Sequence, residues 1–111
     1  MADALFTSVE SLEAARRASG RRYHEFLRVP PLSAGLYRLE AGAPDPQQPH
    51  GEDEVYVVLR GRARFRAGAE ERAVGPGAVL FVPARLEHRF VAIEEELQIL
   101  VFFGPAEQSP T

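Results

Sequence analysis

The sequence predicts an all-β domain, either a sandwich or a barrel, that follows a short N-terminal helix. Beyond residue 20 the apolar segments are short and are separated by glycine and proline, the residues that favour turns. A series of short strands of this kind is typical of sandwiches and barrels. Residues 54–60 and 97–103 are apolar at both alternating positions, which predicts strands that are buried on both faces. A chain of 111 residues can bury one core, and we therefore expect a single domain.

The N-terminal residues have the pattern of a helix. Thr7 and Glu10 have the spacing of a capping box, a narrow apolar stripe follows them, and Gly20 fits a helix stop. We therefore expect one short helix that ends before the first strand.

The remaining chain reads as strands and turns. A proline-rich loop is expected over residues 41–49, a tight turn at residues 75–77, and a hairpin turn at Gly61 that joins two paired strands. The predicted strands are residues 23–28, 35–40, 54–60, 62–67, 72–74, 78–82, 88–93 and 97–103. The predicted regions are a helical extension (1–20), a β domain (21–104) and a C-terminal tail (105–111).

Composition excludes several classes of function. The formal net charge is −3, which gives no reason to expect nucleic acid as a partner. No apolar run has the length of a membrane span and the N-terminus lacks the pattern of a secretory signal, so we expect no membrane partner and a cytoplasmic location. The absence of cysteine excludes thiol catalysis, and the absence of lysine excludes Schiff-base chemistry.

Two of the three histidines lie where a metal site can be built. His50 and Glu54 are four residues apart, and His88 begins a later apolar strand. Four residues of a straight strand span about 13 Å, whereas two ligands of one metal place their donor atoms roughly 3 Å apart. The chain must therefore bend between His50 and Glu54, and residues 51–53 have the composition of a bend.

Two ordered motifs carry a family resemblance. The first has histidines spaced H-x-H, a glutamate four residues on and a glycine after six more. The second runs from a glycine through five residues to a proline, and then to a histidine that starts a strand. The residues at these positions are His50, Glu54 and Gly61, followed by Gly77, Pro83 and His88. The chain thus resembles a small single-domain cupin, and in particular the compact bacterial cupins with an Asp-Pro-Gln-x-Pro-His segment, here residues 45–50.

The resemblance extends over most of the chain, roughly residues 40 to 104, and implies the double-stranded β-helix, or jelly-roll barrel, of the cupins. It also implies a metal site. Gln48 stands where the first histidine of H-x-H is expected, which leaves His50, Glu54 and His88 as a set of two histidines and one carboxylate. Such a set suits non-haem iron(II) and leaves coordination positions open. Gln48 is a candidate fourth donor, and Gln47 competes for that role if the strand is bulged.

The implied function is chemistry on a small organic molecule in the barrel. Iron allows oxygenase chemistry, for example that of a dioxygenase, whereas zinc, manganese or nickel allows Lewis-acid isomerase or lyase chemistry. Tyr56 has the same parity as Glu54 and is a candidate catalytic acid/base group. The predicted interior, mainly apolar, is supplied by Tyr56, Val58, Phe81, Phe90 and Phe103.

Two further expectations complete the prediction. The alternative function is a non-catalytic module that binds or senses a metal or a small-molecule ligand, because fold alone does not choose among these roles.

The apolar side chains at the outward positions of the strands must be covered by another part of the structure or by a second subunit. Since small cupins commonly dimerise, the resemblance implies a homodimer.

Overall fold

The computed structural model describes residues 3–108 and has one helix followed by six antiparallel strands. The elements are α1 (Val9–Ser19), β1 (Tyr23–Val29), β2 (Leu32–Leu39), β3 (Asp53–Ala67), β4 (Glu70–Val74), β5 (Val79–Val82) and β6 (His88–Gly104). The strands form one sheet in the order β1-β2-β6-β3-β4, and β5 pairs with the first part of β3. The predicted all-β class with a short helix is therefore confirmed. Within residues 3–108, no helix is long and apolar enough to span a membrane.

The N-cap of helix α1 lies one residue later than predicted. The N-cap is Ser8, whose extended backbone lets its hydroxyl accept a 3.1 Å hydrogen bond from the backbone N–H of Ser11. The expected capping box at Thr7 and Glu10 is therefore wrong. Gly20 ends the helix in the left-handed conformation, as predicted. Leu12 is buried on the face of α1 that packs against β1 and β2.

Gly61 does not form the predicted hairpin turn. It lies inside β3, which continues through it and pairs with β6 along both halves, with register shifts on either side of the glycine. Its φ is +97°, and a Cβ at this position would lie 2.2 Å from the carbonyl oxygen of Glu96. Only glycine allows the two backbones to approach so closely. Gly61 therefore serves as a bend in one long strand.

The register of β5 decides which of its side chains enter the barrel. Val82 pairs with Glu54 and Leu80 pairs with Tyr56, so these two residues share the inner face. Phe81 pairs with Val55 on the outer face and is 63% exposed. The prediction that Phe81 lines the interior is therefore wrong. The buried core consists of Tyr37, Leu39, Tyr56, Val58, Ala63, Phe65, Val82, Phe90, Ile93, Leu97, Ile99, Val101 and Phe103.

The chain after β6 folds back against the first hairpin. Ala106 donates a backbone hydrogen bond of 3.1 Å to the carbonyl of Pro30, and the backbone N–H of Glu107 donates one of 2.8 Å to the Ser33 hydroxyl. Arg28 in turn donates to the carbonyl of Glu107. Ala106 and Glu107 are both buried, so this part of the predicted tail belongs to the packed domain.

Candidate functional site

The first residues of the two long strands meet inside the barrel. Glu54 and Tyr56 lie near the start of β3, His88 begins β6, and all three side chains are almost completely buried. The Tyr56 hydroxyl lies 2.5 Å from Glu54 Oε2 and 2.9 Å from His88 Nε2. It also lies 3.0 Å from Oε1 of Gln47, which arrives from the loop before β3. Together with His50, these residues are called the polar cluster below.

Both histidines of the polar cluster direct Nε2 toward the same carboxylate oxygen. Nε2 of His88 lies 3.3 Å and Nε2 of His50 lies 3.9 Å from Glu54 Oε1. The chain bends at residues 51 and 52, as predicted, and this bend brings His50 beside Glu54. Nδ1 of His88 faces the carbonyl oxygen of Leu86 at 2.7 Å. Because a carbonyl can only accept, Nδ1 of His88 carries a proton.

The structure separates the two candidate glutamines. Gln47 is buried and its Oε1 accepts from the Tyr56 hydroxyl, whereas Gln48 is exposed. The expectation that Gln48 faces the site is therefore corrected in favour of Gln47. The physical reason is the alternation of an extended loop, in which Asp45 and Gln47 point inward while Pro46 and Gln48 point outward.

Asp45 holds this loop in place and was not identified as a site residue from the sequence. Its carboxylate accepts four hydrogen bonds: from the Tyr37 hydroxyl, from the backbone N–H and side-chain amide of Gln47, and from the backbone N–H of Phe90. The distances range from 2.9 to 3.2 Å. Asp45 therefore ties the loop to both β2 and β6. Its place at the start of the Asp-Pro-Gln-x-Pro-His segment is the only signal that points to it.

Two further buried carboxylates surround His50. Glu107 Oε2 lies 3.2 Å from His50 Nδ1, and Glu52 Oε1 lies 4.0 Å from the same atom. Glu52 sits in the predicted bend. Glu107 lies outside both motifs, and no feature of the local sequence could have found it.

Comparison with known proteins decides the family. Residues 35–103 match the family model for the cupin domain. The chain belongs to the cupin family. It is 46% identical over 99 residues to the uncharacterized protein SCO3923 of Streptomyces coelicolor. The aligned residues cover 89% of this chain and 94% of that protein.

Solved cupin structures show the same barrel. An RmlC-like cupin from Shewanella frigidimarina superposes with a TM-score of 0.71 at 20% identity, covering 78% of this chain and 77% of that one. The DMSP lyase DddQ from Ruegeria pomeroyi superposes with a TM-score of 0.66 at 25% identity, covering 75% of this chain and 47% of that one. These likenesses support the cupin barrel.

The interior of this cupin carries an excess of negative charge. Four carboxylates are at most 5% exposed (Asp45, Glu52, Glu54 and Glu107), and two histidines, His50 and His88, lie beside them. The guanidinium of Arg28 also lies near Glu107, where it donates to the backbone carbonyl, but the Arg28 side chain is exposed. Burial, followed by the charges of Glu54 and Glu52, raises the pKa of Glu107 to about 7. Burial acts to lower the pKa of His88, but hydrogen bonds to Glu54 and the Leu86 carbonyl outweigh it and raise that pKa. Both shifts retain protons that offset the carboxylate charge.

A small cavity adjoins the polar cluster. It measures about 10 Å³, room for roughly one water molecule, and is lined by Tyr23, Tyr37, Gln47, Val101, Phe103 and Glu107. Within residues 3–108, two buried oxygens have no hydrogen-bond partner, and they belong to residues of this lining: the Tyr23 hydroxyl and Glu107 Oε1. The cavity is therefore polar as well as small.

The donor set fits a divalent cation, although the side chains do not stand in the geometry of a preformed centre. Within residues 3–108, no group of three or more His, Cys, Asp or Glu side chains is arranged to hold a metal. The Tyr56 hydroxyl lies against Nε2 of His88, and the His50–Glu54 distance is 3.9 Å. Two imidazole nitrogens and a carboxylate oxygen that converge in an acidic interior are nevertheless the ligand types that iron(II), zinc, manganese and nickel accept.

Proposed function

We propose that this cupin binds one divalent metal through Nε2 of His50, Nε2 of His88 and the carboxylate of Glu54, and acts on a small organic molecule. The observation that carries the proposal is the excess of four buried carboxylates over two histidines. Burying a charge without compensation costs several kcal/mol. A cation beside Glu54 would compensate the negative charge of the buried carboxylates. Glu107 and His88 would release their retained protons when the cation binds, as metal binding generally releases protons from its site.

The bound metal would supply Lewis-acid polarisation of a substrate oxygen, or dioxygen chemistry if it is iron. Tyr56 contributes a proton. Burial, then the charge of Glu54 and the hydrogen bond to it, raise the pKa of Tyr56, so its phenol stays protonated at neutral pH. It lies within hydrogen-bond distance of both Glu54 and His88 and can donate toward the space between them. Oε1 of Gln47 lies 3.0 Å from the same hydroxyl and is an alternative acceptor for its single proton.

The walls of the site restrict the class of substrate. Tyr56 and Phe90 fill the interior, and Phe103 lies against His50 with ring centroids 5.2 Å apart. No arginine is buried at the site within residues 3–108, since Arg16, the buried arginine, pairs with Glu13 on α1. A phosphorylated or polyanionic substrate would lack a partner there. A small organic acid, enol or aromatic compound suits these walls better.

The test is metal content in matched histidine variants. Protein purified without affinity metals should be reconstituted separately with iron(II), zinc, manganese and nickel, and then measured by elemental analysis. We expect one metal per chain in the wild type, none in His88→Ala or His50→Ala, and one in the control His24→Ala, because His24 lies on β1 outside the cluster. Stoichiometric metal retained by His88→Ala would refute the site.

Turnover separates an oxygenase from a Lewis-acid enzyme and tests Tyr56. A panel of small carboxylic acids, enols and phenols, with DMSP included because a similar structure is a DMSP lyase, should be assayed for product and for oxygen uptake. Uptake with iron would favour a dioxygenase, and product without uptake an isomerase or lyase. Tyr56→Phe should keep its metal but lose roughly 10²–10⁴-fold in rate. Full activity in Tyr56→Phe would exclude Tyr56 as the proton donor.

A second candidate function is a non-catalytic metal-binding module. The observation that favours it is the size of the cavity beside the polar cluster, which has room for about one water molecule. An enzyme of this kind must open a larger space, whereas a module that only binds or senses a metal need not. Metal binding without turnover of any member of the panel would select this function.

A further inference from the structure

The segment after β6 brings a carboxylate to the candidate metal site from outside the matched family domain. The family match ends at residue 103, and Glu107 lies four residues beyond it. Its backbone is fixed at both ends of the residue, because its N–H donates to the Ser33 hydroxyl and its carbonyl accepts from Arg28. Its side chain is 2% exposed and is directed at His50. Burying a carboxyl group is unfavourable unless it has a hydrogen-bond partner, and Nδ1 of His50 lies within reach of its carboxyl oxygen Oε2.

We propose that Glu107 is the positioning residue for His50: its carboxylate accepts a hydrogen bond from Nδ1–H and thereby keeps Nε2 of His50 unprotonated and directed at Glu54. This inference rests on the proposed metal site. The geometry supports it, because Glu107 Oε2 lies 3.2 Å from Nδ1 while Nε2 points to Glu54 Oε1. Glu52 is the rival partner, but its 4.0 Å distance from Nδ1 is too long for a hydrogen bond.

The second histidine shows the same arrangement with a different acceptor. Nδ1 of His88 donates to the Leu86 carbonyl at 2.7 Å, and Nε2 on the other side of the ring faces Glu54. Histidines that bind metals generally donate their other ring N–H to a carboxylate or carbonyl, which fixes the tautomer and the ring orientation. In this proposal Glu107 is the hydrogen-bond acceptor for Nδ1–H of His50, as the Leu86 carbonyl is for Nδ1–H of His88. Its other oxygen, Oε1, has no hydrogen-bond partner within residues 3–108, and Glu107 lines the small cavity together with Tyr23.

The test measures the tautomer of His50 directly and does not need a metal. Long-range ¹H–¹⁵N NMR spectra of the metal-free protein at about pH 8 report which ring nitrogen carries the proton, and His50→Ala assigns the signals among three histidines. We expect the Nδ1–H tautomer in wild type. Glu107→Leu removes the acceptor and should shift His50 toward Nε2–H, whereas Glu107→Gln keeps an acceptor oxygen and should retain Nδ1–H. The control is Glu94→Leu, at an exposed carboxylate on β6.

Zinc affinity, measured by chelator competition on the same variants, is the second readout. We expect a loss of about 10–100-fold in Glu107→Leu, a smaller loss in Glu107→Gln, and none in the control. Nε2–H in wild-type His50 overturns the inference even if Glu107→Leu fails to fold. Unchanged tautomer and zinc affinity in a folded Glu107→Leu overturn it as well, while leaving the metal site intact. If wild type binds no zinc or other metal, the proposed function fails, and the tautomer data alone decide the role of Glu107.

Discussion

The two motif regions of this cupin carry one histidine each, but they support it in different ways. His88 in the second region is held by the carbonyl of Leu86, only two residues earlier in the chain. His50 in the first region has Nδ1 3.2 Å from Glu107, which lies near the far end of the chain, and its loop is anchored by Asp45. The group that faces Nδ1 is therefore local for His88 and distant in sequence for His50. A local sequence motif does not identify the distant residues that contact it. The histidine of the first region could therefore be recognised from the sequence, but Glu107 could not.

The motif glycines show the same difference. Gly61 of the first region needs its φ of +97° and also lies against the backbone of β6. Gly77 of the second region has a similar φ of +91°, but a Cβ there would meet nothing within 4 Å. Gly77 is thus required by its turn alone, whereas Gly61 is required by both its own conformation and the approach of a distant strand.

The largest effect should come from removing the anchor of the first region. Asp45→Ala would leave the Tyr37 hydroxyl and two backbone N–H groups, those of Gln47 and Phe90, buried without partners. We expect a loss of about 4 kcal/mol in the free energy of unfolding by urea. The matched control is Asp53→Ala, which removes one exposed hydrogen bond to Ala84 before the second motif histidine and should cost about 1 kcal/mol. Equal losses would show that the two regions are anchored equally.

Substitution of the two glycines should give the next largest difference. Gly61→Ala forces an alanine to a positive φ and places its Cβ against the Glu96 carbonyl, so we expect a loss of about 3 kcal/mol. Gly77→Ala meets only the conformational penalty and should lose about 1–2 kcal/mol. Urea unfolding of both variants measures the contrast. A Gly61→Ala protein as stable as Gly77→Ala would show that β3 and β6 separate at little cost.

Stability of the metal-free protein should depend on pH through Glu107. Its pKa is raised from 4.5 to about 7, so the folded protein binds this proton more tightly than the unfolded chain. The resulting stabilisation is fully present below about pH 4.5 and is lost as the pH rises through about 7. We expect a fall of about 2 kcal/mol between pH 5 and 8.

A matched variant isolates the contribution of Glu107. His88, whose pKa is also raised, changes stability in the same direction. The difference between wild type and Glu107→Gln therefore measures Glu107 alone, since only the wild type loses this proton. Parallel stability curves for the two proteins between pH 5 and 8 would show that Glu107 titrates normally.

The parts of the site that could be predicted are those fixed by residue type and short spacing. His50 and His88 are two of only three histidines and stand with Glu54 in ordered motifs, and the need to bring donors close together correctly implied a bend, which is found at residues 51 and 52. The all-β class followed from short apolar segments between turn residues. These inferences need only local geometry and the resemblance to cupins.

The parts that could not be predicted depend on pairing between distant segments. The choice of Gln47 over Gln48 follows from Asp45 being fixed to β6, and the outward position of Phe81 follows from the register of β5 on β3. Gly61 looked like a hairpin turn because its partner strand was unknown. Glu107 had no motif at all. In each case the deciding contact joins residues that are far apart in the chain.

The smallest effect on the monomer is expected at the outer face of the second region. Phe81 is 63% and Val79 is 68% exposed, and they lie beside half-buried Val55 and Val57 of β3. Phe81→Ser should change the unfolding free energy of the monomer by less than about 0.5 kcal/mol. If a second copy of the chain covers this face, as expected for a homodimer, the same substitution should raise the dimer dissociation constant at least tenfold in sedimentation velocity.

The control for this face is Phe6→Ser, since Phe6 is 93% exposed but lies before α1, away from β5. It should leave the dissociation constant unchanged. A wild-type protein that is monomeric at about 100 µM would contradict the dimer. A dimer that survives Phe81→Ser but is lost in Phe6→Ser would assign self-association to the N-terminal segment. In that case the exposed side chains of β5, Val79 and Phe81, would be covered neither by the rest of the chain nor by a second copy of it.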